Sequence, residues 1–321
     1  MILSMKPPYD ISPKILKLIT AISEKIGEVN ANYLTKQSPQ LRKQNRIKTI
    51  HSSLQIEGNT LTEEQITALI ENKRVIGPEK EVLEVLNAIR VYEKLEDYKL
   101  DSDKSFLKAH LELMQGLIES AGKYRKQGVG IMKGSKVEHV APPYENVPYL
   151  MKDLFEYVKD SEELTLIKSC VFHYEMEFIH PFLDGNGRMG RLWQTLILMS
   201  EYPVFEFLPF ETLISQTQNE YYQALAMSDK SGKSTFFIEY MLQVIDKSLG
   251  NLLNYNNRVL KDIDRLDYFL KLGIKEFTRK DYMNTFKDLS SATASRDLKK
   301  GVELQLFESS GTQNKTQYSV K

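Results

Sequence analysis

The sequence predicts a mainly α protein: a helical bundle broken by one β-hairpin and followed by a small C-terminal unit. Three observations carry this. Apolar residues recur at three- and four-residue steps through most of the first 250 positions, as on one face of a helix. Only Gly122 to Pro143, rich in glycine and valine, departs from that period and reads as a short extended hairpin. Beyond about residue 272, two short helices and two short strands replace the long periodic runs.

The elements follow in order. Ser12-Pro13 sets a capping hydroxyl before a proline at the first helical position, and Ile15, Ile19, Ile22, Ile26 and Val29 then line one face. Ser38-Pro39 repeats the signal ahead of a helix carrying Ile47, Ile50 and Leu54 that stops at Gly58. Thr62 with Gln65 is a capping-box pattern leading into Ile66, Leu69 and Ile70. Val82 to Leu95 and Phe106 to Leu117 give two more amphipathic helices. Leu150, Leu154 and Val158 mark the next, then Leu166, Cys170, Tyr174 and Phe178, and beyond a loop Leu192, Leu196 and Met199. A polar stretch from Asn251 to about Leu272 reads as a connector helix. The tail follows: a helix opening at Phe277-Thr278-Arg279, a turn and second helix over 290–300, and strands at Leu304–Glu308 and Thr316–Val320 around Gly311.

Composition excludes several classes. An apolar fraction of 41%, with 10% aromatics, can bury a real core, so wholesale disorder is excluded. No apolar run approaches the roughly 18–20 residues a bilayer needs. The first ten residues lack the basic start and apolar centre of a secretory signal. One cysteine, Cys170, excludes a disulfide framework and suits a reducing cytoplasm. The 43 basic and 43 acidic residues cancel, so any nucleic-acid contact must come from a local patch.

Chemistry concentrates in His180-Pro181-Phe182-Leu183-Asp184-Gly185-Asn186-Gly187-Arg188-Met189-Gly190-Arg191. A helix runs into this loop and another out of it, so the loop sits at a helix N-terminus, which offers unpaired N–H groups and partial positive charge to an anion. Gly185 and Gly187 let backbone approach phosphate oxygens, Asn186 can add a side-chain donor, and Arg188 and Arg191 can fork onto phosphate. Asp184 is a hard oxygen ligand suited to Mg²⁺, and His180 can accept a proton near neutral pH. Phe182 reads as the loop's apolar anchor. With a single cysteine and no paired-ligand spacing, a zinc site is unsupported. His173 reads as a core or surface histidine and not a ligand, His110 lies on an apolar face, and Cys170 and Trp193 read as core residues.

This run matches the signature H-x-F-x-(D/E)-G-N-G-R-x-x-R at every defined position, and over about residues 10–250 the chain resembles the Fic family. The resemblance implies a Fic-type helical bundle whose β-hairpin flap, here including Lys136, Val137, Glu138, His139 and Val140, docks a target segment as an added strand. It implies transfer of AMP from ATP to a Ser, Thr or Tyr hydroxyl of a protein, the chain itself included. His180 would take the hydroxyl proton, and Asp184 would hold Mg²⁺. Gly185, Asn186, Gly187 and Arg188 would form the anion hole, Arg191 would meet the γ-phosphate, and Tyr222 would line the adenine pocket. The phosphorylating Doc branch replaces the second glycine with lysine and lacks the last arginine; Gly187 and Arg191 therefore favour AMP transfer.

Ser53-Leu54-Gln55-Ile56-Glu57-Gly58 matches the family's inhibitory pattern (S/T)-x-x-x-E-(G/N). Ser53 and Glu57 are four apart and share a helix face, and Gly58 ends the helix. By resemblance Glu57 pairs with Arg191 and keeps it from the γ-phosphate.

The chain then divides into an N-terminal helical region (1–100) with the inhibitory helix at about 39–58, a catalytic core (101–250), a connector (251–270) and a winged-helix domain (271–321). The last carries ten Lys/Arg against six Asp/Glu, and Thr293, Ser295, Arg296 and Lys299 could meet a duplex. Two rival readings stay open: removal of AMP from targets by the same site, and a DNA-binding regulator with a nucleotide-sensing domain. So do homodimerisation and whether the tail meets DNA or protein.

Overall fold

The computed structural model describes residues 7–32, 39–133, 136–257, 262–286, 289–311 and 316–320. Two compact units divide the chain, Met1–Leu253 and Asn254–Lys321.

The first unit contains α1 (Pro13–Asn32), α2 (Pro39–Ile56), α3 (Glu63–Ile70), α4 (Glu79–Tyr92) and α5 (Asp103–Met114), then the hairpin β1 (Gly130–Lys133) and β2 (Lys136–Val140). Helices α6 (Val147–Asp160), α7 (Thr165–Ile179), α8 (Asn186–Met199), α9 (Glu211–Gln216), α10 (Gln218–Ser231) and α11 (Thr235–Asn257) follow. The start signals act as the sequence predicts. Ser12 Oγ accepts from the Ile15 amide at 3.2 Å, and Thr62 and Gln65 exchange both bonds of a capping box. Ser38, the residue before α2, lies outside the described residues.

Helices α7 and α8 are buried on nearly every side, polar residues such as His173, Arg191 and Gln194 included, and occupy the middle of the core. Trp193 on α8 is fully buried, meets Phe106 edge-to-face at 4.9 Å and donates its indole N–H to the Leu100 carbonyl. Truncating such a residue to alanine typically costs about 3–5 kcal/mol. Cys170 is likewise buried in the core, which pushes its thiol up to about 12.

The hairpin is shorter than its sequence stretch. Its antiparallel ladder pairs Gly130 with Val140, Ile131 with His139, Met132 with Val137 and Lys133 with Lys136, so Glu138 is the extra residue of a bulge. Residues 122–129 and 141–143 form its feet without ladder bonds.

The second unit comprises α12 (Asp262–Lys271), β3 (Glu276–Thr278), α13 (Arg279–Thr285), α14 (Ser291–Glu303), β4 (Phe307–Ser310) and β5 (Gln317–Val320). Its sheet has the order β3-β5-β4, all antiparallel. The stretch read as a connector is described as the end of α11 and as α12, with residues 258–261 outside the described set, and α12 buries Leu266 and Phe269 against Phe277, Leu298 and Phe307. One detail differs from the sequence reading. The helix anticipated from Phe277 begins only at Arg279. A capping box between Thr278 and Asp281 fixes its start, which frees Glu276–Thr278 to pair with β5.

Candidate functional site

Helix α7 ends one residue before the loop. His180 follows in the left-handed region, with φ 49° and ψ 59°, its amide still donating to the Met176 carbonyl at 3.0 Å. Pro181 has no N–H with which to continue the helix. The loop then turns back through two side-chain staples. Asn186 accepts from the Phe182 amide through Oδ1 at 2.9 Å and donates from Nδ2 to the Phe182 carbonyl at 3.0 Å. One N–H of the Asn186 side chain is thus used in closing the loop. Phe182 is buried, stacked flat on the His110 ring at 3.5 Å.

His110 is a second fastener. Its Nδ1 accepts from the Gly122 amide at 2.9 Å, so Nε2 carries the hydrogen and donates to the Asp184 carbonyl at 3.0 Å. Burial lowers its pKa to about 4, so the ring stays neutral and in this tautomer. Gly185 caps α8 with φ 89°, and a Cβ there would press within 2.9 Å of Met114 Sδ. Only glycine satisfies both demands. The first helical bond of α8 runs from Met189 N to Gly185 O. The amides of Asn186, Gly187 and Arg188 therefore have no acceptor within the helix and form its anion-facing end.

The charged residues are already paired. Arg188, buried, places Nη2 2.8 Å from Asp184 Oδ1 and Nη1 3.4 Å from Glu84 Oε1. Asp184 itself keeps 41% of its side chain exposed. Arg191 is fully buried and is held from α2: Nε donates to Ser53 Oγ at 3.0 Å, Nη2 to the Ser53 carbonyl at 2.9 Å and to Glu57 Oε1 at 2.7 Å. Its Nη1 has no hydrogen-bond partner among the described residues. Burial works against the charge, yet Glu57, Tyr221 and Glu177 together outweigh it and hold the guanidinium above its ordinary range. A Cβ at Gly187 would lie 2.5 Å from Glu57 Oε1 and 3.0 Å from Arg191 Nη1, so the missing side chain leaves room for this pair.

Helix α2 is docked by the far side of the bundle. Gln218 donates to the Ile56 carbonyl at 2.8 Å, Ser215 to Gln55 Oε1 at 2.8 Å, and Ser52 meets Thr212 at 3.0 Å. Gly58, with φ 93°, turns the chain away after Glu57. On α10, Tyr222 is half exposed and accepts from Gln218 Nε2, whereas Tyr221 is buried and donates to Glu177 Oε1 at 2.9 Å. His173 lies between Gln194 and Tyr221 in the core, its pKa depressed by burial to about 3.

Sequence reasoning missed four contributors: Arg125, Glu84 and Glu177, and His110 as a fastener. Each acts through a contact distant in sequence, and no local spacing announces it. On the hairpin, the side chains of Lys136, Val137, Glu138, His139 and Val140 lie outside the described set; their backbone forms β2. In the second unit, Ser295 accepts from Arg279 and Arg296 donates to Thr293, so part of the surface anticipated for a duplex bonds to itself. Among the described residues no group of three or more metal-ligating side chains occurs, and no helix is long and apolar enough to cross a membrane.

Comparison with known proteins bears on the family and the fold. The Fic/DOC family pattern matches residues 100–198. A crystal structure of a Fic family protein from Desulfovibrio desulfuricans G20 is 40% identical, covers 99% of this chain and 98% of that one, and superposes with a TM-score of 0.77. The chain belongs to the Fic family. A Caenorhabditis elegans Fic-1 structure, 23% identical, shares the fold over 75% of this chain and 72% of its own, with a TM-score of 0.62. Among curated relatives, a protein adenylyltransferase Fic from Nematostella vectensis is 27% identical over 75% of this chain and 58% of its own length. Protein adenylyltransferase fic-1 from C. elegans is 27% identical over 67% and 43%. The chain thus spans about half the length of the curated relatives it matches.

Proposed function

We propose that the chain is a protein adenylyltransferase that moves AMP from ATP to a Ser, Thr or Tyr hydroxyl, and that Glu57 holds it in check. The observation that carries this is the clasp of Ser53 and Glu57 on Arg191, the last residue of a loop that also presents His180 and an anion-facing helix end. The curated relatives bearing the adenylyltransferase name support the choice of reaction.

In this reading the triphosphate lies against the amides of Asn186, Gly187 and Arg188. His180 takes the proton of the target hydroxyl, whose oxygen bonds to the α-phosphorus as the bond to pyrophosphate breaks. Asp184, half exposed and with one oxygen free of Arg188, would hold Mg²⁺, which needs only one or two carboxylates when phosphates complete its shell. That ion would neutralise phosphate charge. The half-exposed Tyr222 offers a ring face for the adenine. The remaining work is positioning and charge stabilisation. With Arg191 engaged by Glu57, the γ-phosphate lacks its cation and the α-phosphorus is misdirected.

The second unit, a helix, strand, two helices and two further strands, fits a winged helix. Its charge surplus supports a negatively charged partner, with Thr293, Ser295, Arg296 and Lys299 as the expected contacts.

Incubation with α-labelled ATP and Mg²⁺ tests the main reading. The Glu57→Gly chain should label itself strongly and the Glu57→Gly/His180→Ala chain not at all. Equal, negligible labelling in both would refute it.

A further inference from the structure

One buried side chain joins the hairpin to the loop. Arg125 lies in the segment before β1, only 3% exposed, and its guanidinium reaches two places at once. Toward the loop, Nε donates to the His180 carbonyl at 2.8 Å and Nη2 to the Ile179 carbonyl at 3.3 Å. Its backbone amide donates to the Pro181 carbonyl at 2.9 Å. Three consecutive carbonyls at the end of α7 therefore finish on one residue. Toward the hairpin, Nη1 donates to the Gln127 carbonyl at 2.9 Å and Nη2 to the Pro142 carbonyl at 2.5 Å, one on each foot.

The placement answers two physical needs. The last carbonyls of a helix lack intrahelical donors and carry partial negative charge, which a guanidinium both bonds and neutralises. His180 also occupies the left-handed region, which is unfavourable for a non-glycine residue and persists only when neighbours enforce it. Arg125 supplies part of that enforcement. Lysine could supply the charge, but not a planar fork that reaches four carbonyls in fixed directions.

We propose that Arg125 is a positioning residue that sets the hairpin and the His180 turn in one frame, so that a target strand added to the hairpin brings its hydroxyl to the imidazole in register. This rests on the adenylyltransferase reading. Arg125 touches neither nucleotide nor target; it acts through the backbone of both partners.

The test uses the full-length Glu57→Gly chain as parent, with α-labelled ATP as probe and self-labelling as readout. Arg125→Lys should slow labelling by about 10²-fold, the cost of an ångström-scale misplacement, while ATP affinity measured by calorimetry changes less than about threefold. Amide hydrogen exchange should quicken in 128–142 and in 179–184 together. Pro142→Gly, a milder change at the partly exposed foot, should also quicken exchange in 179–184. Labelling by Arg125→Lys within about twofold of the parent, or loosening confined to one segment, overturns the proposal. If the parent itself does not label, the adenylyltransferase reading fails, while the exchange measurements still decide whether Arg125 couples the two segments.

Discussion

Each unit of the molecule contains a buried arginine paired with a carboxylate, and the two pairs are built differently. In the second unit, Arg265 meets Asp297 through two parallel bonds, Nε to Oδ2 at 2.5 Å and Nη2 to Oδ1 at 2.9 Å. Tyr282 adds a third bond to Asp297, which is 2% exposed. In the first unit, Arg191 meets Glu57 through a single bond, Glu57 keeps 31% of its side chain in solvent, and one arginine nitrogen has no hydrogen-bond partner among the described residues. The bidentate, sealed pair is a fold-holding contact. The single-bonded pair, whose carboxylate is 31% exposed, is the easier of the two to exchange for another anion, which is what the proposed phosphate role needs.

Breaking the sealed pair should have the largest effect on stability. Asp297→Ala strands the Arg265 charge in the second core and should cost about 3–5 kcal/mol, read as faster amide exchange across α14 or a lower denaturant midpoint. Opening the releasable pair should act on rate instead. Glu57→Gly should raise self-labelling by about 10²-fold yet lower unfolding free energy by less than Asp297→Ala does, because Glu57 is partly solvated and Ser53 keeps both of its bonds to the buried Arg191. A stability loss as large as that of Asp297→Ala would erase the contrast.

A third carboxyl sharpens the comparison. Glu211 is fully buried at the start of α9, with Thr195 at 3.4 Å; burial raises its pKa to about 8 despite Arg191 nearby and hydrogen bonds from the backbone, Thr195 and Thr49. The folded chain therefore keeps a proton that the unfolded chain, titrating near 4.5, has lost, so its contribution to stability falls as pH rises from 4.5 toward 8. Glu211→Gln cannot titrate. Its stability relative to the parent should increase by about 1 kcal/mol between pH 6 and 7, measured by urea unfolding, and an unchanged difference would show that Glu211 is ionised in the fold.

The elements and the loop were legible because their signals are local. Capping residues, the three-and-four period and the unbroken run from His180 to Arg191 all lie within a few positions of what they specify. The inward bonds of the Asn186 side chain were not legible because a loop amide can bond outward or inward, and only the closure around Phe182 decides. The extent of the hairpin and the strand β3 were hidden for a related reason. Ladder bonds depend on a partner strand, and β3 finds its partner about 40 residues away in β5.

The order of residues by itself determined the helical class, the His180–Arg191 loop and the Ser53–Glu57 pattern, because periodicity, capping and motif spacing are properties of neighbouring positions. Only the tertiary structure decided which nitrogen of His110 carries the hydrogen, that Glu84 and Asp184 share Arg188, and that Arg125 ties both hairpin feet to the turn at His180. Those contacts join segments tens of residues apart. They exist only where packing has excluded water, so that each buried donor must find the acceptor the fold places beside it.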